Sequence, residues 1–308
     1  MGQTCIENTL FIGNGFSRAL FSEVPSWSNL FDGVNDSIMD YTILYEMYRL
    51  NEENRDLGED VVKSVLIQKI KDSFSEKKIN HDIMELGDFG ISLKQHQIHN
   101  IITTNYDDGI ECILCSVCGY KEVCAEGLVT EQIYSIRTYR LYHNAVTGHT
   151  VKLWKIHGDM ERIKSITLGF DQYCGSLSKL MEYVKGSYRS SKNCEKTECK
   201  VSMKEKCATQ KFDDLSWAEL FFRTNVYIVG FGMSFSEIDI WWLLNKRARF
   251  KLEIPEINNT ITYLYNEKFE TPGTKPEIFD ALRAFDVVYS SICSDSQYLV
   301  SIFNAISD

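Results

Sequence analysis

The sequence predicts an α/β fold, a parallel sheet with helices on both faces, and three observations carry that expectation. Apolar runs of strand length alternate with longer stretches of helical periodicity along the chain. The runs Ile98 to Thr103, Val151 to Ile156 and Asn225 to Val229 are of the kind that makes buried strands. Each ends in a short polar or glycine-containing segment, and open α/β sheets gather their ligands at that carboxyl edge.

Composition bounds what the chain can be. At 308 residues and 44% hydrophobic it can bury a substantial core, as one large domain or two smaller ones. No apolar run approaches the roughly 20 residues that span a bilayer, and no basic segment followed by an apolar core opens the chain. A cytoplasmic protein without a membrane partner is expected. The formal charge of −10 argues against a nucleic-acid surface and makes local amides the way to hold an anionic ligand. Ten cysteines without a secretion signal suit reduced thiols rather than a disulfide framework.

The elements follow in chain order. Thr9 to Ile12 is a strand ending in Gly13-Asn14-Gly15-Phe16-Ser17. A strand followed by a glycine turn and a helix can cradle a diphosphate on backbone amides, although the same pattern also serves as an ordinary turn. From about 36 to 96 the periodicity is helical. Ile38, Tyr41, Leu44, Tyr45 and Tyr48 form one stripe, and Val61, Val62, Val65, Leu66 and Ile70 a second. Such an insert suits a lid over a cleft, with Asn51 to Asp60 a solvated acidic loop. His81, His96 and His99 have no ligand spacing. Thr104-Asn105-Tyr106-Asp107 follows the second strand, and then Cys112, Cys115 and Cys118 fall along one helix face as buried small side chains.

A hairpin over 137–157 delivers Ile156-His157-Gly158-Asp159, and Ile166 to Leu168 is expected as a strand before a helix reaching Tyr183. The stretch 186–214 is polar and lysine-rich, and its Cys194, Cys199 and Cys207, with Cys174 upstream, lack zinc-knuckle spacing. No metal is expected. Asn225 to Val229 runs into Gly230-Phe231-Gly232-Met233-Ser234, and Asp239 lies in the first turn of the helix that follows. Ile261 to Tyr265 with Asn266, a helix from Lys275 to Phe285, the strand Val287 to Tyr289 and a helix from Gln297 to Ile306 close the chain. The whole is one Rossmann-like, three-layer domain over residues 1–308, elaborated by the helical insert, the hairpin and a small loop region.

Gly13-x-Gly15-x-Ser17, Pro25-x-Trp27-x-x-Leu30, Thr104-Asn105-Tyr106-Asp107, Ile156-His157-Gly158-Asp159 and Gly230-Phe231-Gly232-Met233-Ser234 occur in this order. The set resembles the sirtuin-like domains of bacterial antiphage defence systems, from about Leu10 to Ser290. The resemblance implies NAD+ as substrate and cleavage of its nicotinamide–ribose bond. It implies that Asn105 positions water and ribose and that His157, as neutral imidazole, is the base on a ribose hydroxyl. Gly13, Asn14, Gly15, Phe16 and Ser17 would hold the diphosphate. Thr104 and Asp107 would order the ribose loop, Gly230, Gly232, Ser234 and Asp239 would approach the adenosine ribose, and Asn266 would reach adenine. With water as acceptor the activity is NAD+ hydrolysis in abortive infection, restrained by homo-oligomerisation or by a partner protein from a neighbouring gene. A protein deacylase, a non-catalytic nucleotide sensor and an ADP-ribosyl transferase are the alternatives, the first weakened by the absence of paired zinc knuckles.

Overall fold

The structure is a computed structural model that describes residues 6–21, 24, 26–31, 40–75, 86–124, 131–192, 195–293 and 297–307. The strands are β1 (Asn8–Ile12), β2 (Ile98–Thr103), β3 (Lys121–Val123), β4 (Arg140–His143), β5 (Thr150–Lys155), β6 (Tyr188–Lys192), β7 (Glu195–Cys199), β8 (Asn225–Val229), β9 (Ile261–Asn266) and β10 (Val287–Ile292). The helices are α1 (Asn14–Leu20), α2 (Tyr41–Leu50), α3 (Glu59–Ser75), α4 (Phe89–Gln95), α5 (Gly109–Cys112), α6 (Phe170–Lys185), α7 (Met203–Thr209), α8 (Trp217–Arg223), α9 (Ile238–Glu253), α10 (Pro276–Ala284) and α11 (Tyr298–Ser307).

Eight strands form one sheet in the order β10-β9-β8-β1-β2-β5-β4-β3. The six from β10 to β5 are parallel, and β4 and β3 extend the edge antiparallel. Numbered among themselves, the parallel strands run third, second, first, fourth, fifth, sixth. This is the dinucleotide-binding order, in which the chain reverses direction across the sheet between its first and fourth strands, here β1 and β8.

Side chains alternate across each strand, so neighbouring residues feed opposite cores. Leu10, Ile101 and Leu153 pack with α1 to α5 and α11, while Phe11, Ile102 and Trp154 pack with α6 to α10. The result is the expected three-layer α/β fold. Serine and aspartate open several helices, each side chain accepting an otherwise unpaired amide: Asp40 from Thr42 N at 2.8 Å, Ser202 from Glu205 N at 3.2 Å and Ser216 from Ala218 N at 3.2 Å.

Several local expectations are corrected. On α3, Val62, Leu66 and Ile70 are buried, but Val61 and Val65 are exposed, because the helix meets the body along one narrow stripe. On α2, Leu44 and Tyr45 are buried, and Ile38 and His81 lie outside the described residues. The Cys112–Cys118 segment tightens into α5 and then widens to a π-helical turn, Ile113–Val117. That change of pitch rotates the thiols off one face, leaving Cys115 exposed and Cys112 and Cys118 half-buried. Ile166 to Leu168 is not a strand. The stretch 186–214, expected as a loop, holds the β6–β7 hairpin, α7 and buried Cys199 and Cys207, while Cys174 is exposed and Cys194 lies outside the described residues.

Candidate active site

The two glycine turns meet at the switch point. Gly13 N donates to Val229 O at 3.0 Å and Gly15 N to Gly230 O at 2.7 Å, so the turn after β1 is laid directly against the turn after β8. A Cβ on Gly13 would stand 2.5 Å from Gly230 O, and one on Gly230, at φ +62, would stand 2.2 Å from Phe16 N. These glycines are demanded by backbone-on-backbone packing before any ligand is considered. Gly232 differs: it is exposed, and a Cβ there meets nothing within 4 Å. Directly after it Met233 is fully buried at φ +47, an uncommon conformation for a non-glycine residue.

Asn105 follows β2, one strand away from the switch point. Its amide N–H bonds Thr103 Oγ1 at 3.0 Å, Thr103 Oγ1 donates to Ile12 O at 2.9 Å, and its Nδ2 donates to Ser17 Oγ at 3.0 Å. This chain of bonds fixes the carboxamide across the ends of β1 and β2. Asn105 is 1% exposed, yet its Oδ1 has no partner. An orphaned buried carbonyl oxygen costs about 1–3 kcal/mol, and a hydroxyl or water placed there would recover it.

His157 lies two residues beyond β5, behind Tyr173, whose ring meets the imidazole edge-on at 5.2 Å. Nε2 is 3.0 Å from Asp239 Oδ2 and Nδ1 is 3.6 Å from Glu237 Oε2. Asp239 also accepts from Ser176 Oγ at 3.2 Å and from Ile240 N at 2.9 Å. Glu237 accepts from the hydroxyls of Tyr41 and Tyr173. His157, Glu237 and Asp239 are all buried, and burial and their mutual charges set their pKa shifts. Burial opposes charge on the ring, but the Asp239 and Glu237 carboxylates outweigh it and raise the His157 pKa. Burial likewise opposes the Asp239 charge, and the facing imidazole overcomes it and holds that carboxyl below its usual range. Glu237 goes the other way, pushed by burial up to about 7 against the pull of His157. The two acidic side chains at opposite ring nitrogens thus pull the imidazole toward its protonated form, against the direction that a neutral base would need.

His157, Glu237 and Asp239 offer ligand atoms within 4.8 Å of one another, a donor set that a divalent cation could take. Each atom is already occupied, however, by a proton shared within the cluster or by a hydroxyl or amide donor.

Beneath the site, Lys155 is buried and gives Nζ to Asp107 O at 2.6 Å and Glu111 Oε1 at 2.9 Å. Asp107 turns its carboxylate to Gly109 N at 2.8 Å, and burial lifts its pKa to about 6 despite Lys155. It thus orders the loop into α5. Gly158, at φ +105, packs on the Ser165 carbonyl, where a Cβ would stand 2.3 Å away, and Thr167 N bonds His157 O at 2.7 Å. The fold, not a ligand, requires that glycine.

The remaining candidates divide. Asn14 lines a small cavity with Val24, Trp27, Leu30, Tyr106 and Asp107, and a second adjoins it around Trp27, Leu30 and Tyr106. Each has room for about one water molecule, far below the roughly 300–1,000 Å³ of small-molecule pockets, so the crevice is closed. Phe16 points into the core against Phe89 and Tyr298, both ring pairs at 6.0 Å, while its N–H bonds Gly13 O at 3.1 Å. Thr104 is buried beside Asn105. Ser234 Oγ donates to Asp40 Oδ2 at 2.5 Å. Asn266 accepts Lys268 N at 3.0 Å and caps the turn after β9.

Glu237, Tyr41, Tyr173 and Ser176 are the members that sequence reasoning missed. Glu237 alone left a signal, a second carboxylate two positions before Asp239 at the start of α9. The others come from segments up to 196 residues away. Comparison of the chain with protein-family models and with curated proteins finds no match in either.

Proposed function

We propose that the chain is a sirtuin-like NAD+ hydrolase that releases nicotinamide and ADP-ribose. The observation that supports it most is the strand order. In that order the first glycine turn, the second glycine turn, Asn105 and His157 end four strands, β1, β8, β2 and β5, which lie side by side around the switch point. A dinucleotide laid across this edge would have its diphosphate near Asn14 and Gly15 and its nicotinamide ribose toward β2 and β5.

In the reaction, the bond from the anomeric carbon to the nicotinamide nitrogen breaks and its electron pair leaves with nicotinamide, discharging that nitrogen. A water oxygen bonds to the same carbon, and its proton passes to an acceptor in the site. The unpartnered Asn105 Oδ1 suits the positioning of that water or of a ribose hydroxyl. His157 backed by Asp239 suits the acceptor in its neutral form, once Nδ1 is released from Glu237, loses its proton and faces the substrate.

Chromatography of NAD+ incubations is the test. Nicotinamide and ADP-ribose are the expected products, and Asn105→Ala is expected to lower turnover by about 10²-fold or more. Unchanged NAD+ in every assembly tried would reject the reading, and an acyl-ADP-ribose formed from an acetylated peptide would replace it with deacylation. On the same resemblance we place the activity in the cytoplasm as an antiphage effector, restrained by homo-oligomerisation or by a partner encoded nearby.

A further inference from the structure

The imidazole of His157 is 1% exposed, with Asp239 at one nitrogen and Glu237 at the other. Neither nitrogen faces a space that a substrate could fill. Two tyrosines keep Glu237 there: Tyr173 of α6 donates to Oε2 at 3.2 Å, and Tyr41, the first residue of α2 in the insert, donates to Oε1 and also bonds the Tyr173 hydroxyl. One residue earlier, Asp40 caps α2 with Oδ1 and takes the Ser234 hydroxyl with Oδ2. The first turn of α2 is thus fastened at two points to the loop between β8 and α9. The Tyr41 ring stacks on Trp27 at 5.5 Å, Trp27 meets Tyr106 edge-on at 5.0 Å, and Trp27 and Tyr106 line both cavities of the closed crevice.

We infer that Asp40 and Tyr41 are positioning residues that latch the first turn of α2 onto the β8–α9 loop, and that release of this turn opens the crevice and frees Nδ1 of His157 together. Tyr41 shares the hold on Glu237 with Tyr173, to whose hydroxyl it is itself bonded, Glu237 faces Nδ1, and Asp40 holds Ser234 on the same loop, so one movement loosens all three contacts. The inference rests on the proposed function only in taking the crevice as the substrate site. The latch itself is measurable without substrate.

The experiment uses the full chain, as parent, Tyr41→Phe, Ser234→Ala and the double variant. Amide hydrogen exchange over residues 41–50 reports release of the turn, and carbethoxylation by diethyl pyrocarbonate at fixed pH, mapped by peptide mass, reports access to His157. Removing two hydroxyl donors is expected to raise both rates by about tenfold or more, while the exposed His99 reacts alike in all proteins. Ser234→Thr, which restores a hydroxyl, is expected to restore protection, as a merely structural serine would not require. A folded double variant with parental exchange in α2 and parental His157 reactivity overturns the latch. Should the double variant fail to fold, Tyr41→Phe alone decides, since it keeps the ring on Trp27. Accelerated exchange and His157 labelling without NAD+ hydrolysis would uphold the latch and reject the hydrolase reading.

Discussion

The two flanks of the carboxyl edge are built from different materials. At β1 and β8 the contact is backbone against backbone, with Gly13 and Gly15 seated on Gly230 and hydrogen bonds running between main chains. At β5 it is side chain against side chain, an imidazole between two carboxylates that are themselves held by two tyrosines and a serine. The first flank tolerates no added atom, and the second no lost charge. Substitutions therefore separate the two.

The largest effect is expected at the side-chain flank. His157→Ala leaves Asp239 and Glu237 buried without their cation, and breaking a buried ion pair from one side costs about 3–5 kcal/mol. Denaturant midpoints of the variant and parent measure it. A loss below about 1 kcal/mol would mean that the carboxylates simply take up protons, and that the cluster does not depend on the imidazolium.

Next comes the backbone flank. Gly230→Val forces a β-branched residue to φ +62 and drives its Cβ into Phe16 N, for an expected loss of about 3 kcal/mol or more. Equal stability of parent and variant would show that the two turns can separate, and would dissolve the distinction between the flanks.

This difference also explains what the sequence disclosed. Strand runs, the glycine turns, Asn105 and the His157 element are local, because a turn that needs positive φ or close approach writes itself as glycine at fixed spacing after a strand. The three-layer fold was legible for the same reason. The second flank was not: Tyr41 and Tyr173 look like ordinary stripe residues, and only the tertiary fold brings them to Glu237. The π-helical turn was hidden likewise, since cysteines spaced by three fit an α-helix equally well. The upward pull on the His157 pKa belongs to the same category. A neutral imidazole is the natural expectation for an isolated histidine, and two partners from beyond β8 push against it.

A smaller effect concerns pH. His157, with its pKa raised, contributes stability that is complete below about 6.5 and is lost as pH climbs through its folded value. Asp239, with its pKa lowered, contributes above about 3.9 and loses that only as pH falls through its own folded value. Glu237 at about 7 and Asp107 at about 6 bind protons more tightly folded than unfolded, so they too favour the fold as pH drops from 7 toward 5. His157, Glu237 and Asp107 therefore predict a higher melting temperature at pH 5.5 than at pH 8, by roughly 2 °C or more, and Asp239, ionised throughout this range, leaves the difference unchanged. Calorimetric scans at both values check it, and Glu237→Gln is expected to narrow the difference. A melting temperature that rises with pH over this range would contradict the charge states assigned to the cluster.

The finest distinction lies within the glycine turns themselves. Gly15 and Gly232 are both exposed, yet a Cβ on Gly15 stands 2.9 Å from Gly230 O, whereas one on Gly232 meets nothing and its φ lies outside the left-handed region. Gly232→Ala is therefore expected to change stability by no more than about 0.5 kcal/mol, and Gly15→Ala to cost more than that. If NAD+ passes over the second turn, the same methyl group occupies the space its ribose needs, and affinity falls by about tenfold with folding intact. Titration calorimetry with NAD+ beside denaturant unfolding gives both numbers for each variant. A Gly232→Ala protein that binds NAD+ as tightly as the parent would remove the second turn from the binding surface and leave the diphosphate to the first turn alone. A Gly15→Ala protein that folds as well as the parent yet loses NAD+ would show instead that the first turn yields to its neighbour, and that its glycine serves the ligand after all.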